Sequence, residues 1–269
     1  MKIIFFQKII DILRGKQFFN FIGKNNKILI FDKCKFNLIK LFALSKIKIR
    51  GNNNTIIFRG DFQIKDYFRL LFGLTIKISG NYNIVDIEYP IRFRSSLISL
   101  TKNENVFKIA TTKAVIRDAN FYVADGGAIV IGKGSQLGNG NLYIVVGQDL
   151  NNKHKLIMGD NVFIARDAII RTTDGHTLID TVTKKAINEP EDIIIGNKVW
   201  ITSRCTILKG SQIPNNCVVG ACSLVNKKFM EENVIIAGSP AKIIKRNCDW
   251  DPRHFDIYIA EQDGNNYVV

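Results

Sequence analysis

The sequence predicts an all-β protein, a parallel β-helix solenoid of hexapeptide repeats with loop excursions and a basic N-terminal extension. Three observations predict it. Ile195, Ile201, Ile207, Ile213, Val219 and Val225 stand six apart without a miss. In the same frame Val199, Cys205, Ser211, Cys217 and Ser223 hold the fifth place. Further upstream, IKIRGNNN (47–54) nearly repeats as IKISGNYN (76–83). A period of six belongs to neither the α-helix nor the simple strand, but it suits a short flat strand followed by a bend. One large side chain fills the interior, one small residue lets the chain turn a corner, and three such units close a triangular coil. Residues 18 apart, such as Ile195 and Ile213, then stack along the axis and bury apolar surface at about 25 cal/mol per Å².

The elements follow in chain order. MKIIFFQKIIDILRGKQFFNFIGK opens like a signal peptide, but Lys8, Asp11, Arg14 and Lys16 break the apolar run and no small-residue cleavage site follows. No uncharged apolar stretch of about 18 residues is present to span a bilayer. The expectation is a cytoplasmic protein, with the inner face of the membrane as a further location. Residues 3 to 22 are compatible with an amphipathic helix that packs on the chain or lies on a membrane, so a peripheral membrane contact stays open. Residues 1–45 are set apart as a basic N-terminal segment, helical or a degenerate coil, from a β-helix domain over 46–246 and a tail over 247–269.

Within the β-helix domain, the two near-repeats read as degenerate early coils whose Gly and Asn tolerate turn conformations. DYFRLLFG (66–73) between them reads as a short helix or an excursion. Ile131 and Leu137, then Met158, Ile164 and Ile170 with Val162 and Ala168 in the small places, keep the beat, and the regular hexapeptides run from 158 to 225. Two interruptions are expected. Residues 171 to 194, polar and carrying Pro190, read as a loop thrown from a corner, and NKKFMEEN (226–233) intervenes before VIIAGSPAKIIKR. Long excursions from a rigid solenoid usually carry function.

Composition narrows the function. The net charge of +14 is uneven: residues 1 to 50 hold twelve Lys or Arg against Asp11 and Asp32, giving +10, which leaves +4 for the remaining 219 residues. Such a face suits an acidic membrane surface, a polyanionic glycan or nucleic acid, or is simply solvated. Nucleic acid is the weakest of these, because the basic residues lack an aromatic platform or a recognisable reader motif. The five Cys (34, 205, 217, 222 and 248) fit no zinc or thioredoxin spacing, and Cys205 and Cys217 read as core filler in a reducing compartment.

Candidate chemistry concentrates at two places. Of the three His, His154 and His254 read as surface or structural residues, whereas His176 sits in TTDGHT at the base of the first excursion, beside Gly175 and Asp174. If Val199 and Ile201 point inward, alternation turns Trp200 outward, and an outward indole calls for a neighbouring subunit or a ligand.

These residues, with Trp200 of VWI standing 24 positions after His176, together with VVGACSLVNKK and AGSPAKIIKR, resemble the acetyl-CoA-dependent O-acetyltransferases of the left-handed β-helix superfamily. Galactoside and maltose acetyltransferases and the capsule or polysialic acid O-acetyltransferases are the members concerned. The resemblance is specific over 158–246, weak before about 115, and supplies the left hand of the helix, which spacing does not.

It implies an O-acetyltransferase that moves acetyl directly from acetyl-CoA, a cosubstrate with no metal, to a hydroxyl of a bacterial surface glycan or its sugar: capsule, polysialic acid or lipopolysaccharide. His176 matches the catalytic general base and Trp200 the tryptophan bordering acceptor and pantetheine. Ser203, Gly220 and Ala221 match positions that hold the pantetheine arm, and Lys227, Lys228, Lys242 and Arg246 match basic positions that meet the coenzyme phosphates. Asp174 is placed to orient the imidazole. Thr202 and Cys222 depart from the family's glycines. A homotrimer with active sites between subunits is implied, with the basic leading segment favouring an anionic carbohydrate. Three rival readings were weighed. A hexapeptide-repeat carbonic anhydrase needs three His around zinc. An N-acyltransferase on a nucleotide-linked amino sugar would often carry a nucleotide-binding front domain, of which no G-x-G-x-x-G after a strand gives a sign. A non-catalytic glycan-binding scaffold would not explain His176, Trp200 and the trailing basic residues together.

Overall fold

A computed structural model describes residues 20–31, 46–60, 63, 65–66, 73–147 and 153–262. Three parallel sheets run along one axis. The first face begins with Asn20–Ile22 and Ile47–Arg50 and continues through Val115–Ala124, Asn139–Val146, Ile169–Arg171 and Thr206–Leu208 to Leu224–Val225. The second runs from Lys27–Phe31 through Ala128–Ile131, Lys155–Met158 and Ile193–Ile195 to Gln212–Ile213. The third begins at Gln136–Leu137, passes through Phe163–Ile164, Trp200–Ile201 and Val218–Val219, and ends in an antiparallel hairpin, Ile235–Gly238 with Ala241–Lys245.

Stacking follows the hexad frame. Ile195 pairs with Ile213, Ile201 with Val219 and Ile207 with Val225, each 18 residues on. All six are buried, and so are the fifth-place Val199, Cys205, Ser211, Cys217 and Ser223. Burial pushes the Cys205 and Cys217 thiols above their usual range, which keeps them protonated and inert. The early near-repeats pair in register, Ile47 with Ile76 and Ile49 with Ile78, so they are successive coils of the same column.

Two corners of the column turn through left-handed backbone. One edge carries Asn161, Lys198, Asn216 and Asn233, and another Asn141, Asp167, Arg204 and Cys222, all at φ between 50° and 61°. Asn and Asp populate this region more readily than other non-glycine residues. In the early coils a buried ladder of Asn26, Asn54, Asn83 and Asn105 runs along the axis, each residue donating its main-chain and side-chain N–H groups to the Oδ1 of the one before, at 2.7–3.0 Å.

The column starts earlier and is more continuous than expected. Strands Asn20–Ile22 and Lys27–Phe31, inside the segment read as helical or a degenerate coil, pair with the first coil of the expected domain. The expected helix over 3–22 lies mostly outside the described residues, as does most of 66–73. The second expected interruption is not an excursion: Phe229 is buried at 5% exposure and its N–H donates to Gln212 O, so 226–233 forms a last irregular rung. The large apolar Phe229 keeps that segment on the column. The tail carries one helix, Phe255–Gln262. No helix among the described residues is long and apolar enough to cross a membrane.

Candidate active site

Residues 172 to 192 leave the column between Ile169–Arg171 of the first face and Ile193–Ile195 of the second. Both feet of this loop are fixed. Thr172 is fully buried, its Oγ1 accepts Gly147 N–H at 3.1 Å, and its carbonyl accepts Glu191 N–H at 3.0 Å. Asp192 Oδ1 accepts Lys155 N–H at 3.0 Å and lies 3.6 Å from His154 Nδ1, so His154 serves the base of the loop. The arms close as a short hairpin, Ile187 N–H to Leu178 O at 3.0 Å.

His176 rides on the outgoing arm just after Gly175, whose φ of +83° is a conformation glycine adopts without strain. The His176 side chain is exposed, and its imidazole makes no hydrogen bond among the described residues. Asp174 does not engage the ring: its Oδ2 accepts Lys209 Nζ at 2.5 Å and Asn188 Nδ2 at 2.9 Å. The Lys209 ammonium holds the Asp174 carboxyl below the usual carboxylate range. Asn188 and Lys209 were not singled out from the sequence. Neither belongs to a motif, and each meets its partners only across the folded loop.

Trp200 stands outward on the third face, as alternation predicts, but it is half-buried by its own chain. The rings of Phe163 and Trp250 lie 6.2 and 5.7 Å from it, and Trp250 Nε1 donates to Lys198 O at 2.7 Å. The company expected from a neighbouring subunit or a ligand is therefore supplied in part by the tail. Trp200 Nε1 is buried without an acceptor among the described residues. Beside these rings a cleft of about 260 Å³ is lined by Phe163, Trp250, Gln136, Asn161, Lys113 and Lys198. Neither Phe163 nor Trp250 is singled out by the sequence: Phe163 stands between the interior Val162 and Ile164 of the hexads, and Trp250 lies in the tail over 247–269.

Ser203 and Ala221 occupy stacked corners after the third face, linked by Cys222 N–H to Ser203 O at 3.0 Å. Gly220 next to them admits no side chain, since a Cβ would come within 2.8 Å of Ala237 Cβ. Lys227 sits over the Phe229 ring at 5.2 Å, while Lys228 and Lys242 are exposed. Arg246 is already engaged by a bidentate pair with Glu231 at 2.7 and 3.1 Å, which makes it a weaker candidate for a phosphate than the lysines. Among the described residues no group of three or more His, Cys, Asp or Glu is placed to hold a metal ion.

The topology separates the two halves of the site. His176 projects from the corner between the first and second faces, and Trp200 stands on the third face opposite that corner. One chain therefore carries the His176 imidazole and the Trp200 indole on different parts of the column.

No family model matches the sequence. The chain is 36% identical over 125 residues to a polysialic acid O-acetyltransferase of Escherichia coli O1:K1 / APEC, covering 46% of this chain and 38% of that one. It is 34% identical over 140 residues to a Saccharomyces cerevisiae protein assigned to the acetyltransferases, covering 52% of this chain and 67% of that one. The chain thus spans well under half the length of the first relative. Among solved structures, that of the polySia specific acetyltransferase NeuO superposes over 93% of this chain and 94% of its own, at a TM-score of 0.63 and 24% identity. That likeness concerns the fold, and gives the column the left hand of a hexapeptide-repeat β-helix.

Proposed function

The chain belongs to the hexapeptide-repeat acetyltransferases, and from that membership we propose that it transfers an acetyl group from acetyl-CoA to a hydroxyl of an anionic surface glycan. The observation that carries the proposal is His176, an imidazole held out on a clamped loop with both ring nitrogens unengaged.

A hydroxyl with a pKa far above 7 is a poor nucleophile, and a neutral imidazole within hydrogen-bond reach removes its proton as it attacks. Acetyl-CoA supplies the activated acyl group as a thioester. The chain's residues fit such a cosubstrate. Trp200 offers a buried, unpaired N–H donor on the third face, which a pantetheine amide carbonyl would satisfy. Ser203 and the Gly220–Ala221 backbone, on adjacent coils, are placed to steady the arm and to meet charge developing on the carbonyl oxygen. Lys227, Lys228 and Lys242 offer cations to phosphate, with Arg246 available only by loosening Glu231. Asp174 is tied to Lys209 and to Asn188, whose Nδ2 also donates to the His176 carbonyl, so the carboxylate braces the loop and leaves the imidazole alone.

Because His176 and Trp200 occupy opposite parts of one column, the working site joins the loop of one subunit to the third face of the next, in a homotrimer. The acceptor is anionic on two grounds. Exposed Lys48 and Lys77 stack in register on the first face, and the sequence is strongly basic over its first 50 residues. The E. coli relative also carries polysialic acid in its name. A capsule polymer or an acidic lipopolysaccharide fits equally.

Thiol release from acetyl-CoA, measured across neutral and acidic capsule and lipopolysaccharide sugars, tests the proposal. Release should require an acidic glycan, its KM should rise with salt as screening predicts, and His176→Ala should lower the rate about 10²- to 10⁴-fold. Full transfer by His176→Ala would sink the mechanism.

A further inference from the structure

Among the described residues, three features stand beside the acyl-transfer chemistry itself: the cleft beside Trp250, the His154–Asp192 pair at the loop base, and the side-chain network across the loop mouth. The last is the most completely satisfied, and it touches the backbone of the reacting histidine.

Asn188 stands on the returning arm. Its Nδ2 donates to His176 O at 2.8 Å and to Asp174 Oδ2 at 2.9 Å, and its Oδ1 accepts Leu178 N–H at 2.7 Å. One amide therefore uses both of its donors and an acceptor to fix the carbonyl of the histidine and the residues on either side of it. Lys209 belongs to the next coil, just beyond strand Thr206–Leu208 of the rigid column. Its side chain is only 18% exposed, and its Nζ reaches Asp174 Oδ2 at 2.5 Å and Asn188 O at 2.8 Å. A cation anchored on the column thus holds the carboxylate on one arm and a main-chain carbonyl on the other. The clamp restrains the main chain from 174 to 178 and leaves the imidazole open.

We infer that Lys209 and Asn188 are positioning residues for the acetyl transfer, Asn188 holding the His176 carbonyl directly and Lys209 holding the two arms through Asp174 and the Asn188 carbonyl, so that the imidazole meets the acceptor hydroxyl without reorganisation. The inference rests on the acetyltransferase reading of the same site. Its physical basis is that a general base works only within hydrogen-bond reach of its proton, and that misplacement by about 1 Å costs on the order of 10²-fold. Neither residue touches a reacting atom, so the effect falls on the rate of transfer and leaves cosubstrate binding alone.

Lys209→Met, Lys209→Arg, Asn188→Ala and the double variant Lys209→Met/Asp174→Asn are compared with the unaltered chain. Two measurements run in parallel: acetyl transfer kinetics and amide hydrogen exchange resolved by segment. Lys209→Met and Asn188→Ala should lower kcat about 10- to 100-fold with KM for acetyl-CoA within about twofold. Lys209→Arg should restore most of kcat, since a second cation can reach the same carboxylate. The double variant should be no worse than Lys209→Met alone, because the two groups act as one unit. Exchange at Leu178 and Ile187 should speed up at least tenfold while the stacked strands keep their protection.

Unchanged loop exchange in Lys209→Met and Asn188→Ala overturns the inference whatever the activity. A loosened loop with unaltered kcat, or a loss of kcat matched by an equal rise in KM, also overturns it. If the unaltered chain transfers acetyl to no glycan, the function reading fails on the kinetic arm, while the exchange arm still decides whether these side chains hold the His176 segment.

Discussion

Cys222 is exposed at φ +58°, on the corner where its stacked neighbours are Asn141, Asp167 and Arg204. A left-handed conformation costs an L-residue roughly 1–2 kcal/mol, and glycine removes that cost at the expense of about 0.4–1 kcal/mol of unfolded-chain entropy. Cys222→Gly should therefore stabilise the chain by up to about 1 kcal/mol, seen as a rise in Tm of about 2–4 °C in a thermal melt. A fall would mean that the thiol contributes packing that its exposure does not reveal. At this scale the sequence is an uneven guide. The inward Ile, Val and Cys of the hexads declare themselves, because every coil repeats the same demand for one large and one small interior side chain. His176 and Trp200 were found because they break that pattern. Lys209, 35 residues from Asp174, and Trp250, 50 residues from Trp200, were not, because their contacts depend on how a loop and a tail fold back, which has no period to read.

Two elements deserve separate treatment, the early Asn ladder and the excursion loop. The near-repeat of IKIRGNNN and IKISGNYN announces successive coils, and its Asn were read as turn residues. That holds for Asn53, at φ +57°, whereas Asn54 and Asn83 are fully buried rungs. Alternate Asn residues in one turn do two different jobs, which composition alone does not separate. Asn83→Ala strips an acceptor from Asn105 N and Nδ2 and donors from Asn54 Oδ1 and Lys102 O. At about 1–3 kcal/mol per buried group left unpaired, the loss should reach roughly 3 kcal/mol in urea unfolding. Asn52→Ala, on the exposed side where water replaces the bond to Lys24 N, should cost under about 1 kcal/mol. Equal losses would remove the ladder's claim to hold the early coils.

The loop makes a prediction in pH. Lys209 lowers the Asp174 carboxyl in the closed loop below its value in an opened one. A depressed carboxyl stabilises the closed form fully above its ordinary pKa of about 3.9 and loses that contribution as pH falls through the lower, closed-state value. Protection of the Leu178 amide, corrected for intrinsic exchange, should hold steady from pH 7 to about pH 5 and decline only below about pH 4. A decline already complete at pH 5 would remove the Lys209–Asp174 pair from the clamp.

At the scale of the whole molecule, the proposed shared site turns on the separation of His176 from Trp200. The loop corner and the third face lie on opposite sides of a triangular column, so no side-chain rotation brings base and wall together within one chain. The proposed homotrimer, a closed ring of identical columns, would resolve this, each lending its loop to the neighbour's third face in a heterologous contact. The exposed aliphatics of the loop, Leu178, Ile179, Val182 and Ile187, between 57% and 86% exposed in one chain, are apolar surface that such a contact would cover. His176→Ala and Trp200→Ala homotrimers should each be nearly inactive. Unfolded together in equal amounts and reassembled, they should recover activity, because a site becomes whole when a Trp200→Ala subunit supplies its histidine and a His176→Ala subunit supplies the indole. Each condition is met about half the time under random assembly, so the mixture should reach about one quarter of the unaltered rate. Silence in the mixture, with both variants folded and mixed trimers present by mass, would place the two residues in one chain's site and overturn the shared-site assembly, leaving the role of His176 as base to be judged on its own variant.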